Sequence, residues 1–166
     1  MPPKPKKEEA EVQEAAAAQP TILKGVFTFP DTDHRYEGEY VEVREPGPDA
    51  GSESVVRKKR HGSGVHTGGG ERYEGEWRHD QIEGRGRITF ADGTTYVGEL
   101  RAGQYHGAGR LAWPDLSVYD GEWHDGRMHG HGVFTDVKGN AWRGRFWNDS
   151  YQNEKGVWIP VRQSIQ

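Results

Sequence analysis

The chain has 166 residues, room for one domain, with 24 glycines and no cysteine. Hydrophobic residues make up 32% and charged residues 29%, a balance that argues against a thick two-layer core, and the missing thiols exclude disulfides, thiolate catalysis and zinc sites built from Cys. The net charge of −4 is spread without any strongly basic segment, so nucleic acid is a poor first partner.

Residues 1–20 are rich in Pro, Lys, Glu and Ala and carry too little apolar surface to offset the entropy of ordering. They read as a low-complexity tail, disordered or ordered by a partner. Within it, Glu8 to Ala18 favours a short helix that Pro20 would end. Lys4, Lys6 and Lys7 have no apolar stretch behind them, so this is not a secretory signal. No apolar run approaches the roughly 18 residues a membrane helix needs, and a soluble intracellular protein is the expectation.

Residues 21–166 hold a repeat. Gly25-Val-Phe-Thr-Phe29 reads as the second strand of an incomplete first copy. Tyr36-Glu-Gly-Glu-Tyr40 opens the next, closed by Gly62 and Gly64. Between them an insertion at 41–59 contains Pro46-Gly-Pro48 and a basic loop, Arg57, Lys58, Lys59 and Arg60. Gly68-Gly-Gly70 reads as a flexible connection. The motif then recurs as Tyr73-Glu-Gly-Glu-Trp77, Tyr96-Val-Gly-Glu-Leu100, Tyr119-Asp-Gly-Glu-Trp123 and Trp142-Arg-Gly-Arg-Phe146, each 23 residues after the last. Eleven residues into the first three of these comes Gly-X-Gly, at Gly84/Gly86, Gly107/Gly109 and Gly130/Gly132. Gly156-Val-Trp158 closes the last copy.

Read with period two, Tyr73, Gly75 and Trp77 share one strand face and Glu74 and Glu76 the other. Gly84, Gly86, Ile88 and Phe90 share a face, with Arg85 and Arg87 opposite, so paired strands would set Glu74 and Glu76 against Arg85 and Arg87. Glycine weakens a strand interior unless something approaches closely; here a ring lying over a position without a side chain is the expected reason. Asp92-Gly93 and Asp125-Gly126 signal hairpin turns. The fold class is all-β: an elongated, single, twisted antiparallel sheet, a meander of stacked hairpins that stabilise one another.

Tyr-Glu-Gly-Glu-Trp, a turn, Gly-X-Gly, then Asp-Gly before the next Tyr resembles the MORN repeat (membrane occupation and recognition nexus) over residues 25–158. The stretch from Phe134 to Gly144 is similar, more narrowly, to the end of a short animal member of that family. Three features depart from the pattern: Trp142 in place of the leading Tyr, Arg145 in place of Glu, and no Gly-X-Gly over 148–155. These suit a terminal cap. The resemblance implies binding rather than chemistry: a structural scaffold, with protein partners in a larger assembly, foremost the axoneme of motile cilia or flagella. A homodimer or a contact between two arrays fits the same family habit. A membrane adaptor for anionic phospholipid is the alternative, though the charge distribution does not favour lipid.

The aromatic stripe of Tyr36, Tyr40, Tyr73, Trp77, Tyr96, Tyr119, Trp123, Trp142 and Phe146 is the candidate partner-binding face; its other reading is the sheet's own packing. The basic loop Arg57–Arg60 could meet an acidic surface or stay solvated. His106, His129 and His131 fall near repeat turns without Cys or a compact carboxylate set, so no metal is expected. The glycine pairs lack the Gly-Lys-Ser/Thr context of a phosphate loop. No nucleophile stands with a base and an orienting group, so neither catalytic residues nor a cofactor are expected.

Overall fold

The computed structural model describes residues 20–30, 32–48 and 52–161, so the tail reading of 1–20 lies almost wholly outside them. Twelve strands follow in order: β1 Leu23–Thr28, β2 Arg35–Glu45, β3 Val55–Gly68, β4 Glu71–Arg78, β5 Gln81–Thr89, β6 Thr95–Arg101, β7 Gln104–Ala112, β8 Val118–His124, β9 Arg127–Thr135, β10 Ala141–Trp147, β11 Ser150–Gln152 and β12 Trp158–Pro160. Each pairs antiparallel with its sequence neighbours in one open sheet. No helix occurs among the described residues. The meander read from the sequence is thus the observed architecture.

A single row of glycines organises it. Gly25, Gly38, Gly64, Gly75, Gly86, Gly98, Gly109, Gly121, Gly132 and Gly144 stand directly opposite one another from β1 to β10. The tyrosine that leads each repeat lies over two of them. A Cβ on Gly86 would sit 2.5 Å from Cε2 of Tyr73, and one on Gly109 would sit 2.7 Å from Cε2 of Tyr96. The ring on a bare floor expected from the sequence is therefore present, repeat after repeat.

The first glycine of each Gly-X-Gly has a different cause. Gly62, Gly84, Gly107 and Gly130 all take a left-handed φ of 57–67° beside a register shift in the ladder. This bulge carries two extra residues in the second strand of each pair. Two contacts hold it. The tyrosine hydroxyl donates to the carbonyl three residues on: Tyr36 to Glu39 (2.6 Å), Tyr73 to Glu76 (2.8 Å), Tyr96 to Glu99 (2.7 Å) and Tyr119 to Glu122 (3.0 Å). The second Glu of the motif accepts from the backbone N–H just after the bulge glycine, as Glu39 does from Ser63 (2.8 Å), Glu76 from Arg85 (3.1 Å) and Glu122 from His131 (3.2 Å). The simple Glu76–Arg85 charge pair is therefore corrected: the Glu76 carboxylate clamps backbone, and the Arg85 guanidinium lies 3.8 Å from Glu99 instead. Glu74 does stand opposite Arg87.

Turns alternate between the two long sides of the sheet. On one side His79-Asp80, Ala102-Gly103, Asp125-Gly126 and Asn148-Asp149 form two-residue turns with positive φ at both positions. Each turn's second residue donates back to an earlier strand: Asp80 to Arg60, Gly103 to Ile82, Gly126 to Tyr105 and Asp149 to Met128. These bonds stitch one repeat to the one before. On the other side the turns at 90–94, 113–117 and 136–140 are wider and are closed by Asp92, Asp115 and Asp136. Gly69-Gly70 also makes a tight turn, between β3 and β4, in place of a flexible connection.

The two flanks of the insertion, 41–45 and 55–59, lie within the sheet. They lengthen the first hairpin, with Val41 opposite Lys59 and Glu45 opposite Val55. The basic loop is thus corrected to a strand segment of β3. The closing segment is corrected too: Gly156 and Val157 lie in a turn, and β11, centred on Tyr151, stands where a Gly-X-Gly strand would be.

Candidate functional site

The leading rings are inside. Tyr36, Tyr96 and Tyr119 are 0% exposed and Tyr73 4%, while Trp142 at the equivalent place is 37% exposed. Trp77, Trp123 and Phe146 are buried as well, and Tyr40 is half-buried against Phe27. Successive repeats interlock edge to face: Tyr36 with Trp77 at 5.5 Å, Tyr96 with Trp123 at 5.7 Å and Tyr119 with Phe146 at 4.9 Å between ring centres. The indole of Trp123 donates to the Gly109 carbonyl at 2.9 Å. Of the nine candidate aromatic residues, only Trp142 offers an open ring.

Burial pushes the phenols up, Tyr36 and Tyr105 to about 12 and Tyr73, Tyr96 and Tyr119 further. They stay neutral at physiological pH and serve as packing groups, the leading tyrosines with their hydroxyls bonded to backbone carbonyls.

The basic quartet is occupied at home. Arg57 and Lys59 both reach Glu45, whose carboxyl is held below its usual range first by the Lys59 hydrogen bond. Arg60 binds Asp80 at 3.0 Å and lies 4.1 Å from the Trp77 ring centre. Lys58 stands over Tyr40 at 5.2 Å. These cations brace the long first hairpin against the core.

Histidines gather in pairs. His34 Nδ1 and His66 Nε2 are 3.2 Å apart, so one ring is the neutral acceptor. Desolvation first, then Arg60 and His34, hold His66 below the usual range. His106 and His124 lie 5.3 Å apart, tilted, beside Asp125, while His129 and His131 approach different neighbours, Trp147 and Glu122. Among the described residues no three His, Asp or Glu are arranged to hold a metal ion.

The exposed apolar surface lies mainly at the ends of the sheet. Trp142, Trp147, Val157, Trp158 and Ile159 are open at one end, and Ile22, Val26 and Phe29 at the other. Beside Trp142 a cavity of about 650 Å³ opens, lined by Phe134, Trp142, Tyr151, Ile159 and Val161 among others. One turn also stands out: Leu116 holds a φ of 73° and is 80% exposed, where the equivalent turns carry Gly93, Gly139 and Gly156.

Motif reading missed one core column, Ile82, Tyr105, Met128 and Tyr151, which packs in or against the same cluster. Its signal was available, since these residues also recur every 23 positions. They sit between the motifs, just after each tight turn, and no match to the leading motif points to them.

A row of hairpins, each burying its tyrosine under the next, defines an open repeat sheet. A family model described as MORN repeat matches residues 54–69, 73–95, 96–118 and 119–141, just over half of the sequence. The chain belongs to the MORN-repeat family. No curated protein matches it significantly. The strands before residue 54, β1 and β2, and those from residue 141 on fall outside the family match, yet β1, β2 and β10 continue the same glycine row and ladder.

Proposed function

We propose that this chain is a non-catalytic scaffold that docks protein partners through its repeat sheet, within the axoneme of a motile cilium or flagellum. The observation that carries the scaffold reading is the uncapped end. Trp142 and the cavity beside it offer an exposed aromatic anchor of the kind that dominates protein interfaces once a partner covers it. The axonemal setting rests on resemblance: Phe134 to Gly144 is similar to the end of MORN repeat-containing protein 2, a short ciliary protein. The phospholipid alternative is less favoured, because Arg57, Lys59 and Arg60 are committed to Glu45 and Asp80 and lipid attachment draws on unpaired positive charge.

Detergent fractionation of motile cilia tests this reading. The chain is expected to stay with the demembranated axoneme and to leave it when Trp142→Glu and Trp158→Glu are combined. Release with the detergent-soluble membrane fraction would favour the lipid reading instead.

A further inference from the structure

The cavity beside Trp142 has aromatic walls and a charged rim. Phe134, Trp142 and Tyr151 supply the rings. Phe134 and Trp142 lie 5.8 Å apart between centres, tilted by 32°. Tyr151 lies over Gly144, its Cε2 3.1 Å from where a Cβ there would stand. Asp136, Glu154 and Lys138 also line the cavity, two carboxylates against one ammonium. Asp136 is engaged in its own turn, accepting from the backbone of Lys138 and Asn140 and from the Asn140 amide. The exposed Glu154 side chain has no hydrogen-bond or ion-pair partner among the described residues.

The same molecule shows how it covers an indole elsewhere. The Arg60 guanidinium lies 4.1 Å from the Trp77 ring centre. Asp80 fixes it there, accepting through its carboxylate at 3.0 Å and its carbonyl at 3.3 Å. That arrangement has three members: an indole, a guanidinium and an acid. The cavity presents the indole in Trp142 and the acid in Glu154, and Trp142 is 37% exposed where Trp77 is 5%.

We propose that this cavity receives an arginine side chain from a partner protein, with its guanidinium over the Trp142 ring and paired with Glu154. A guanidinium is weakly hydrated, stacks on aromatic faces and meets a carboxylate in its own plane, none of which an ammonium does as well. Its methylene stem buries along apolar walls, here Phe134 and Tyr151. A volume of about 650 Å³ lies in the range of small-ligand sites and leaves room for the backbone beside the arginine. Lys138 sets a limit on the partner. One arginine balances the rim, whereas a run of basic residues would meet the lysine as a like charge.

This occupant rests on reading the open end as a docking site, and it is tested apart from that reading. The probe is the peptide acetyl-Gly-Arg-Gly-amide, titrated into the purified full-length chain with the tryptophan indole N–H signals followed by NMR. The chain has six tryptophans, and the Trp142 signal is the one lost in Trp142→Phe. It is expected to shift and saturate at millimolar peptide. The matching citrulline peptide, of the same shape without the charge, should bind roughly tenfold more weakly, having lost both the ring contact and the ion pair. Glu154→Gln should weaken arginine binding roughly threefold, as one exposed charge pair does, with the remaining indole signals in place to show an intact fold. A Trp142 signal that never moves, or that responds equally to citrulline, would overturn the proposal. So would a signal that moves as far on Arg162→Gln alone as with peptide, since the chain's own arginine would then occupy the cavity. Peptide binding by a chain that leaves with the membrane fraction would sink the axonemal setting and keep the arginine site. Axonemal attachment without peptide binding would do the reverse.

Discussion

The three central repeats and the last one are built from nearly the same motif and behave differently. From β4 to β9 each leading tyrosine is roofed by the next repeat, seated on two glycines and tied to the carbonyl three residues on. From β10 onward Trp replaces Tyr, Arg145 replaces the clamping Glu, and the β10–β11 ladder carries no register shift. The leading ring there is open. The contrast shows that the motif is one device rather than a string of favourable residues. The left-handed glycine makes the bulge, the glutamate holds it, and the tyrosine fits only where both are present. Where the device lapses, the leading ring is left partly exposed, while Phe146 on the same strand stays buried.

That contrast makes graded predictions, all read by urea unfolding of the full chain. Tyr96→Ala should cost ~4 kcal/mol, the range for deleting a large buried ring. Trp142→Ala should cost about 1 kcal/mol, because its ring is partly solvated already. Equal costs would mean that the last ring is as deeply packed as the others.

Alkaline pH acts on the same buried phenols. Tyr36 and Tyr105 are pushed up by burial to about 12 in the folded chain. The unfolded chain ionises first, near pH 10. Their contribution is therefore complete below pH ~10 and is lost as pH rises toward ~12. A stability curve that stays flat to pH 12 would contradict their burial.

Glycine substitutions probe the floor beneath the rings. Gly109→Ala should cost ~2 kcal/mol, since the new methyl meets the buried Tyr96 ring at 2.7 Å. Gly144→Ala, where the nearest atom is Tyr151 Cε2 at 3.1 Å, should cost less than about 1 kcal/mol.

Much of this was legible in the sequence. The 23-residue period and the turn signals specify hairpins, and alternation within Tyr-Glu-Gly-Glu-Trp puts rings and glycines on one face. Three things were not. The role of the first glycine in Gly-X-Gly depends on a bulge, and a bulge is a relation between two strands that neither strand's own pattern reveals. The fate of Arg57–Arg60 depends on Glu45, Asp80 and Trp77, brought together by a hairpin longer than the repeat predicts. Which rings would be open was likewise undecided, because burial comes from the neighbouring repeat and not from the motif.

Leu116 gives the smallest effect and the opposite sign. A leucine at φ 73° with an exposed side chain carries backbone strain worth roughly 1 kcal/mol or more, partly offset by the entropy glycine loses on folding. Leu116→Gly should therefore stabilise the chain, by ~0.5 kcal/mol. Destabilisation would mean that the leucine packs against something in solution.

The most direct test of the account is oxidative footprinting of the folded chain, read tryptophan by tryptophan by mass spectrometry. Burial in the central repeats and exposure at the C-terminal end predict that Trp142, Trp147 and Trp158 react early, while Trp77 and Trp123 resist until the protein unfolds. Comparable reactivity at Trp77 and Trp142 would contradict it, and would return the whole aromatic stripe to the surface as an open docking face.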